Sequence, residues 1–156
     1  MNQLRRTFLK GTSAAGTIAV AIAAGLLKPG QVLAAEWNKV AFGATTTADA
    51  MKDIGVGGAA ESKDILIKAP DIAENGAVVP VEVTSKIPGT TAIMIFVDKN
   101  QNPLIANFEL SNGTEPYIST RIKMANTSFV RVAVKAGGKA YTASKEVKVT
   151  IGGCGG

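Results

Sequence analysis

Histidine is absent from the 156-residue chain, and cysteine occurs once, at Cys154. The first absence removes the usual base for activating a nucleophile. Together the two remove the ligand sets of haem, iron–sulfur and zinc sites, so no metal and no resident cofactor is expected. Excess charge is also missing. Of 17 basic residues, Arg5, Arg6, Lys10 and Lys28 lie within the first 34 positions, where there is no acid, so 13 bases face 12 acids in the remainder. A remainder near +1 excludes the electrostatic footprint of a nucleic-acid-binding protein. A membrane-spanning run is missing too. Gly11 to Leu27 is uncharged, but it is shorter than the ~20 residues a span needs and is diluted by glycine and threonine.

The N-terminus instead reads as an export signal. Leu4-Arg5-Arg6-Thr7-Phe8-Leu9-Lys10 carries paired arginines close to the twin-arginine pattern, ahead of the weakly apolar run. Val32-Leu33-Ala34 puts small residues where a signal peptidase cuts, with Ala35 a near alternative. The organisation expected is a signal over 1–34, a domain over 35–151 and a short arm over 152–156, in a periplasmic protein with no stable membrane anchor. About 120 residues remain, enough for one ordinary domain with its own core. The twin-arginine route carries folded cargo. With no cofactor ligands in the chain, a folded partner carried out alongside is the simplest reason for using it.

Thr45-Thr46-Thr47 ahead of Ala48-Asp49-Ala50-Met51-Lys52-Asp53-Ile54-Gly55 predicts one short helix, with a threonine cap and a closing glycine. Trp37 and Phe42 are expected to pack on the domain, and Gly57 to Ala60 to form a loop. The rest reads as about seven short strands. These are Ile65–Ala69; Val78–Val83, whose Pro80 favours an edge or bulge; Ala92–Val97; Leu104–Leu110; Tyr117–Met124; Phe129–Ala136; and a last strand after a tight Gly137-Gly138 hairpin. Leu104, Ala106, Phe108 and Leu110 are expected to share one face. Arg121, Lys123, Arg131 and Lys135 could line one solvated face, and Met94 and Met124 belong to the core. The class implied is all-β, an immunoglobulin-like antiparallel β-sandwich, without the cysteine pair and central tryptophan of antibody domains.

Lys145-Glu146-Val147-Lys148-Val149-Thr150-Ile151 alternates polar and apolar as a half-buried strand does, and then the pattern stops. Gly152-Gly153-Cys154-Gly155-Gly156 follows. Glycine has nothing to bury and loses the most backbone freedom on ordering, so these four glycines are expected to form a flexible arm around the thiol. Three extended steps from Ile151 reach roughly 10 Å, enough to insert a sulfur into another protein's pocket. No fixed cation or helix N-terminus is at hand to stabilise a thiolate. Cys154 therefore reads as an attachment point whose reactivity is supplied by the pocket it enters.

The twin-arginine signal, the sandwich pattern and the stretch Val149-Thr150-Ile151-Gly152-Gly153-Cys154-Gly155-Gly156 closely resemble the SoxY family, sulfur carriers of bacterial thiosulfate oxidation. Pro70-Asp71-Ile72-Ala73-Glu74-Asn75-Gly76-Ala77-Val78-Val79-Pro80, Pro103-Leu104 and Thr120-Arg121-Ile122-Lys123-Met124 carry the resemblance inward, while Asn100-Gln101-Asn102-Pro103 departs from a commoner Asn-Pro-Asn-Pro loop. The resemblance implies a non-enzymatic carrier paired with SoxZ. The thiol matching Cys154 would be joined oxidatively to thiosulfate by the cytochrome complex SoxAX. SoxB, a manganese enzyme, would release sulfate, and in many organisms SoxCD would oxidise the sulfur left behind. Two other readings stay open on the residues alone. One is a ubiquitin-like carrier with a terminal thiocarboxylate, which the signal and strand count disfavour. The other is an exported structural or adhesion module that uses Cys154 for an intermolecular disulfide.

Overall fold

Thr90–Val97 is the strand on which two apolar layers meet. Ile93, Ile95 and Val97 face one layer, and Ala92, Met94 and Phe96 face the other. All six are essentially inaccessible to solvent. A strand buried on both faces reads as a continuous apolar run rather than an alternation, which is how Ala92-Ile93-Met94-Ile95-Phe96-Val97 is written. The computed structural model describes residues 38–111 and 113–151. It contains helices α1 (Lys39–Gly43) and α2 (Thr47–Asp53). The strands are β1 (Ala60–Glu61), β2 (Ile65–Lys68), β3 (Ile72–Asn75), β4 (Val79–Ser85), β5 (Thr90–Val97), β6 (Leu104–Glu109), β7 (Tyr117–Ile122), β8 (Ser128–Ala136) and β9 (Lys139–Ile151).

The strands form two sheets. The larger runs β1-β9-β8-β5-β6, with β3 also paired to β9, and the smaller runs β2-β4-β7. Between them Val79, Val81 and Val83 of β4 pack with Ile93, Ile95 and Val97 of β5 and Val130, Val132 and Val134 of β8. The expected all-β sandwich is the architecture found. The second layer is smaller: α1 and α2 cover the outer face of the larger sheet, where Ala41, Ala50, Ile54 and Val56 meet Met94, Phe96, Leu104 and Ala133.

Each helix end has a local cause. The Asn38 side chain accepts from Ala41 N at 3.0 Å and starts α1. Thr46 accepts from Asp49 N at 3.1 Å and donates to the Asp49 carboxylate at 2.6 Å, starting α2. Lys135 Nζ donates to the Ile54 carbonyl at 2.8 Å, satisfying an acceptor at the C-terminal end of α2. At its other end Thr47 donates to Asp98 at 3.0 Å, and Asp98 also pairs with Arg131 at 3.0 Å.

Several expectations are corrected. Among the described residues there are two short helices rather than one, because Asn38 caps a further turn; Phe42 in that turn packs against the helical layer, while Trp37 lies outside the described residues. Nine strands, among the described residues, replace seven. Ala60 belongs to β1 rather than a loop, and Ile72–Asn75 form a further strand, β3. Both added strands pair with β9 in parallel, whereas every other ladder among the described residues is antiparallel. A register shift between Ile95 and Phe96 breaks the single face expected of β6, so that Leu104 joins the helical layer while Phe108 and Leu110 lean on the sandwich core. Pro80 sits on the central strand of the smaller sheet, but β2 pairs with β4 only from Glu82 onward, so the strand is locally an edge at Pro80. The four basic residues do not share a face: Arg121 and Lys123 lie in or just after β7, while Arg131 and Lys135 of β8 hold α2 in place. Met94 and Met124 are both fully buried, and Gly137 and Gly138 take φ of 55° and 74°, as a two-residue hairpin turn requires.

Phe96→Ala is expected to lower stability by about 3–5 kcal/mol, the usual cost of emptying a large aromatic site. Urea denaturation checks this. A midpoint like that of the unaltered protein would mean that the helical layer is not part of the cooperative core.

Candidate functional site at the end of the last strand

The sequence-predicted site residues, Cys154 with Gly152, Gly153, Gly155 and Gly156, lie outside the described residues. The structure defines the point from which they depart. β9 is 13 residues long, and its ladder with β8 runs from Ala136↔Lys139 to Ser128↔Val147. Lys148, Val149, Thr150 and Ile151 extend past the end of β8. Burial falls along this overhang: Val147 is fully buried, Val149 is half-buried against the core, and Ile151 is 68% exposed. The strand leaves the core while keeping its alternation.

A strand that has lost its neighbour must satisfy its backbone elsewhere. On one side β3 runs parallel to the overhang, pairing Ile72 with Lys148, Ala73 with Val149 and Asn75 with Ile151. Lys148 N donates to the Asp71 carbonyl at 3.0 Å, and Gly76 N donates to the Ile151 carbonyl at 2.7 Å. The Thr150 hydroxyl donates to the Glu74 carbonyl at 2.8 Å. On the other side, where β8 has ended, Thr127 stands beside Val149. Its hydroxyl oxygen accepts from Val149 N at 2.9 Å and lies 3.5 Å from the Val149 carbonyl, to which it donates.

These supports are themselves braced. Asn100 donates to the Lys123 carbonyl at 2.8 Å and accepts from Ala125 N at 2.9 Å, which holds the connection between β7 and β8. In that connection Met124 N donates to the Gly76 carbonyl at 2.7 Å, and the Met124 side chain is fully buried. Lys145 reaches from β9 to the lead-in of β3, donating to the Ala69 carbonyl at 2.6 Å and pairing with Asp71 at 3.0 Å. Asp71 is largely exposed, so this pair adds little through charge alone. The backbone acceptor on Ala69 is the stronger reason for the lysine.

Around the overhang Ile72, Val78 and Ile151 are large apolar side chains more than half exposed. Among the described residues no three His, Cys, Asp or Glu side chains cluster where a metal could bind. A shallow pocket of about 390 Å³, lined by residues including Ser85, Ile87, Thr90, Leu110 and Pro116, opens elsewhere. Thr90 pairs with Ala136, which pairs with Lys139, so this pocket lies at the end of the sandwich where β9 begins. The length of β9 separates it from Ile151.

Sequence reasoning missed β3, Thr127 and Thr150 as supports of this end. The stretch Pro70–Pro80 was legible as one carrying the family resemblance, and it is the stretch that flanks the end of β9. Nothing in the pattern around Asn126-Thr127-Ser128 distinguishes a strand-bracing threonine from an ordinary turn residue.

The sequence matches the family described as "Sulfur oxidation protein SoxY" over residues 51–154, a span that includes Cys154. Among solved structures, the chain is similar to the sulfur carrier protein SoxY from Chlorobium limicola f thiosulfatophilum. The two are 48% identical, the match covers 66% of this chain and 96% of that one, and the TM-score is 0.59. A superoxide reductase (neelaredoxin) from Ignicoccus hospitalis matches at 17% identity over 58% of this chain and 82% of its own, with a TM-score of 0.50; this likeness is one of fold alone. No curated protein matches the chain. Two-thirds of the sequence lies within one family match, Cys154 included, and a sulfur carrier of that name shares the fold with 48% sequence identity: the chain belongs to the SoxY family of sulfur-oxidation proteins.

Proposed function

We propose that this member of the family is a covalent carrier that holds thiosulfate-derived sulfur on Cys154 and presents it to partner enzymes. The observation that carries the reading is that the family match extends through Cys154, the single cysteine of the chain. Joining the Cys154 thiol to thiosulfate forms one S–S bond and releases one proton and two electrons. In the scheme the resemblance implies, the electrons pass to SoxAX. Hydrolysis by SoxB then breaks the S–SO₃ bond, releases sulfate and leaves a persulfide on the cysteine, which SoxCD oxidises where it is present. The carrier needs no base or metal of its own in this scheme, in keeping with a chain that has no histidine.

The arm 152–156 is read as the mobile tether, the residues up to 151 as the domain that presents it, and SoxZ as the stable partner. Residues 1–34 are read as the twin-arginine signal, cut after Ala34 or Ala35, which places the working protein in the periplasm. Among the described residues no helix is long and apolar enough to cross a membrane.

The test is the intact mass of the mature protein from thiosulfate-grown cells, with and without reductant, with fragmentation to locate any added mass. Reductant-labile sulfur or thiosulfonate on Cys154 is expected. A bare thiol, or only protein-to-protein disulfides, would overturn the carrier reading in favour of an exported module crosslinked through Cys154. Cys154→Ser is expected to abolish loading while leaving the urea midpoint unchanged. Replacing Gly152 and Gly153 with valine should leave the thiol titratable with a small disulfide reagent but slow its turnover by partner enzymes, because β-branched residues stiffen the backbone. Turnover at the unaltered rate would show that the glycines are not needed for presentation.

A further inference from the structure

The four-residue overhang of β9 poses a physical problem. Ile72–Asn75 and Lys148–Ile151 alone would make a two-stranded parallel ribbon, and isolated two-stranded pairings are marginal in water. Parallel pairing is, if anything, the weaker kind. The end of such a ribbon would fray, and the tether that begins there would start at no fixed residue.

Thr127 changes this. It directly precedes Ser128, the first residue of β8, and its backbone takes no part in the ladder with β9. Its side-chain hydroxyl does what a further β8 residue would have done. It accepts from the Val149 N–H at 2.9 Å and donates toward the Val149 carbonyl at 3.5 Å. Thr127 is held from both directions. Asn100 fixes the backbone at Lys123 and Ala125, and the Ser128 hydroxyl accepts from Lys99 N at 3.0 Å. Both anchors come from the turn after β5, the strand buried on both faces. Hydrogen bonds on the β3 side then carry the fixed backbone as far as the Ile151 carbonyl, the group immediately before Gly152.

We propose that the Thr127 hydroxyl is a positioning group: it replaces the missing strand neighbour of Val149 and so sets Ile151 as the residue from which the Cys154 tether begins. The hydrogen-bonding part of this inference stands on the described residues alone, and its consequence for turnover rests on the carrier reading. With the overhang fixed, the tether from Ile151 to Cys154 is three residues. With the overhang frayed back to Val147 it is seven. Effective concentration falls as about the 3/2 power of tether length, so the thiol's local concentration at a docked enzyme's entrance would drop roughly fourfold.

The experiment compares Thr127→Val, which keeps the β-branched shape and removes the hydroxyl, with Thr127→Ser, which keeps the hydroxyl, both in the full mature chain. Amide hydrogen exchange is read at Val149, Thr150 and Ile151 and, as an internal control, at Val132 and Ala133 of β8. In Thr127→Val, exchange at the three overhang amides is expected to rise about tenfold with the β8 controls unchanged, and Thr127→Ser is expected to restore protection. No change at Val149, an equal rise at the β8 amides, or failure of serine to restore protection would overturn the proposal. The second readout is enzymatic loading of Cys154 by a thiosulfate-oxidising partner, alongside reaction with a small disulfide reagent. KM for the carrier is expected to rise up to roughly fourfold at constant kcat, with the small-reagent rate unchanged. Faster overhang exchange with unaltered KM would overturn the positioning role. Absence of loading in the unaltered protein would instead count against the carrier reading and leave the exchange result to decide the clamp.

Discussion

The site depends on a mismatch of length: β9 is four residues longer than β8 can pair. Backbone N–H and C=O groups cannot be left unpaired at the margin of a core without cost, so these four residues recruit partners from distant parts of the chain. β3 is recruited from almost 80 positions earlier, Thr127 from the connection between β7 and β8, and Gly76 from the turn after β3. Each recruit is then tied to something more deeply buried. Met124, which binds the Gly76 carbonyl, is wholly inside, and Asn100 bridges its neighbours on either side. The end of β9 is an outer edge in topology but is braced much as a central strand would be.

The foundation of that bracing is β5. Its two buried faces join the sandwich interior to the helical layer, and the turn at its end supplies Asn100 and Lys99 to the β7–β8 connection and the start of β8. Asp98, one residue earlier, receives Arg131 and Thr47 and ties α2 to the same corner. The α1–α2 layer, the sandwich and the end of β9 therefore share one mechanical reference. For a protein whose proposed task is to present one atom at a defined place, a single reference limits the ways in which the launching point can wander.

Much of this was legible in the sequence, for physical reasons. The long strands β4, β5, β8 and β9 announce themselves through apolar alternation or an unbroken apolar run, and the Gly137-Gly138 turn identifies its hairpin because only glycine adopts two successive positive φ values at little cost. The expectation of an arm rests on four glycines and one thiol with no packing role, and it lies outside the described residues. What escaped was non-local. β1 has two residues and β3 four, too few for a period to register, and each exists only because β9 offers it an edge in parallel. The register shift opposite Leu104 depends on where Phe96 sits in a neighbouring strand, which no local window contains. Thr127 escaped for the same reason: its partner is 22 residues away, and the hydroxyl that braces Val149 has no signature of its own.

A carrier thiol faces two opposed demands. It must be slim and mobile enough to enter a partner's pocket, which the glycines favour, and it must not search so large a volume that encounters become rare. Lengthening the tether serves the first demand and harms the second. The described residues bear on the second demand through the point to which the backbone is braced. Hydrogen bonds hold β9 on one side at Val149 and on the other at Lys148 and Ile151, and four of the next five residues are glycine. A gradual fraying over several residues would serve neither demand. The two threonines at this end, Thr127 and Thr150, supply backbone partners from short side chains where no further strand is available. They brace the backbone up to Ile151 without a further strand on that side.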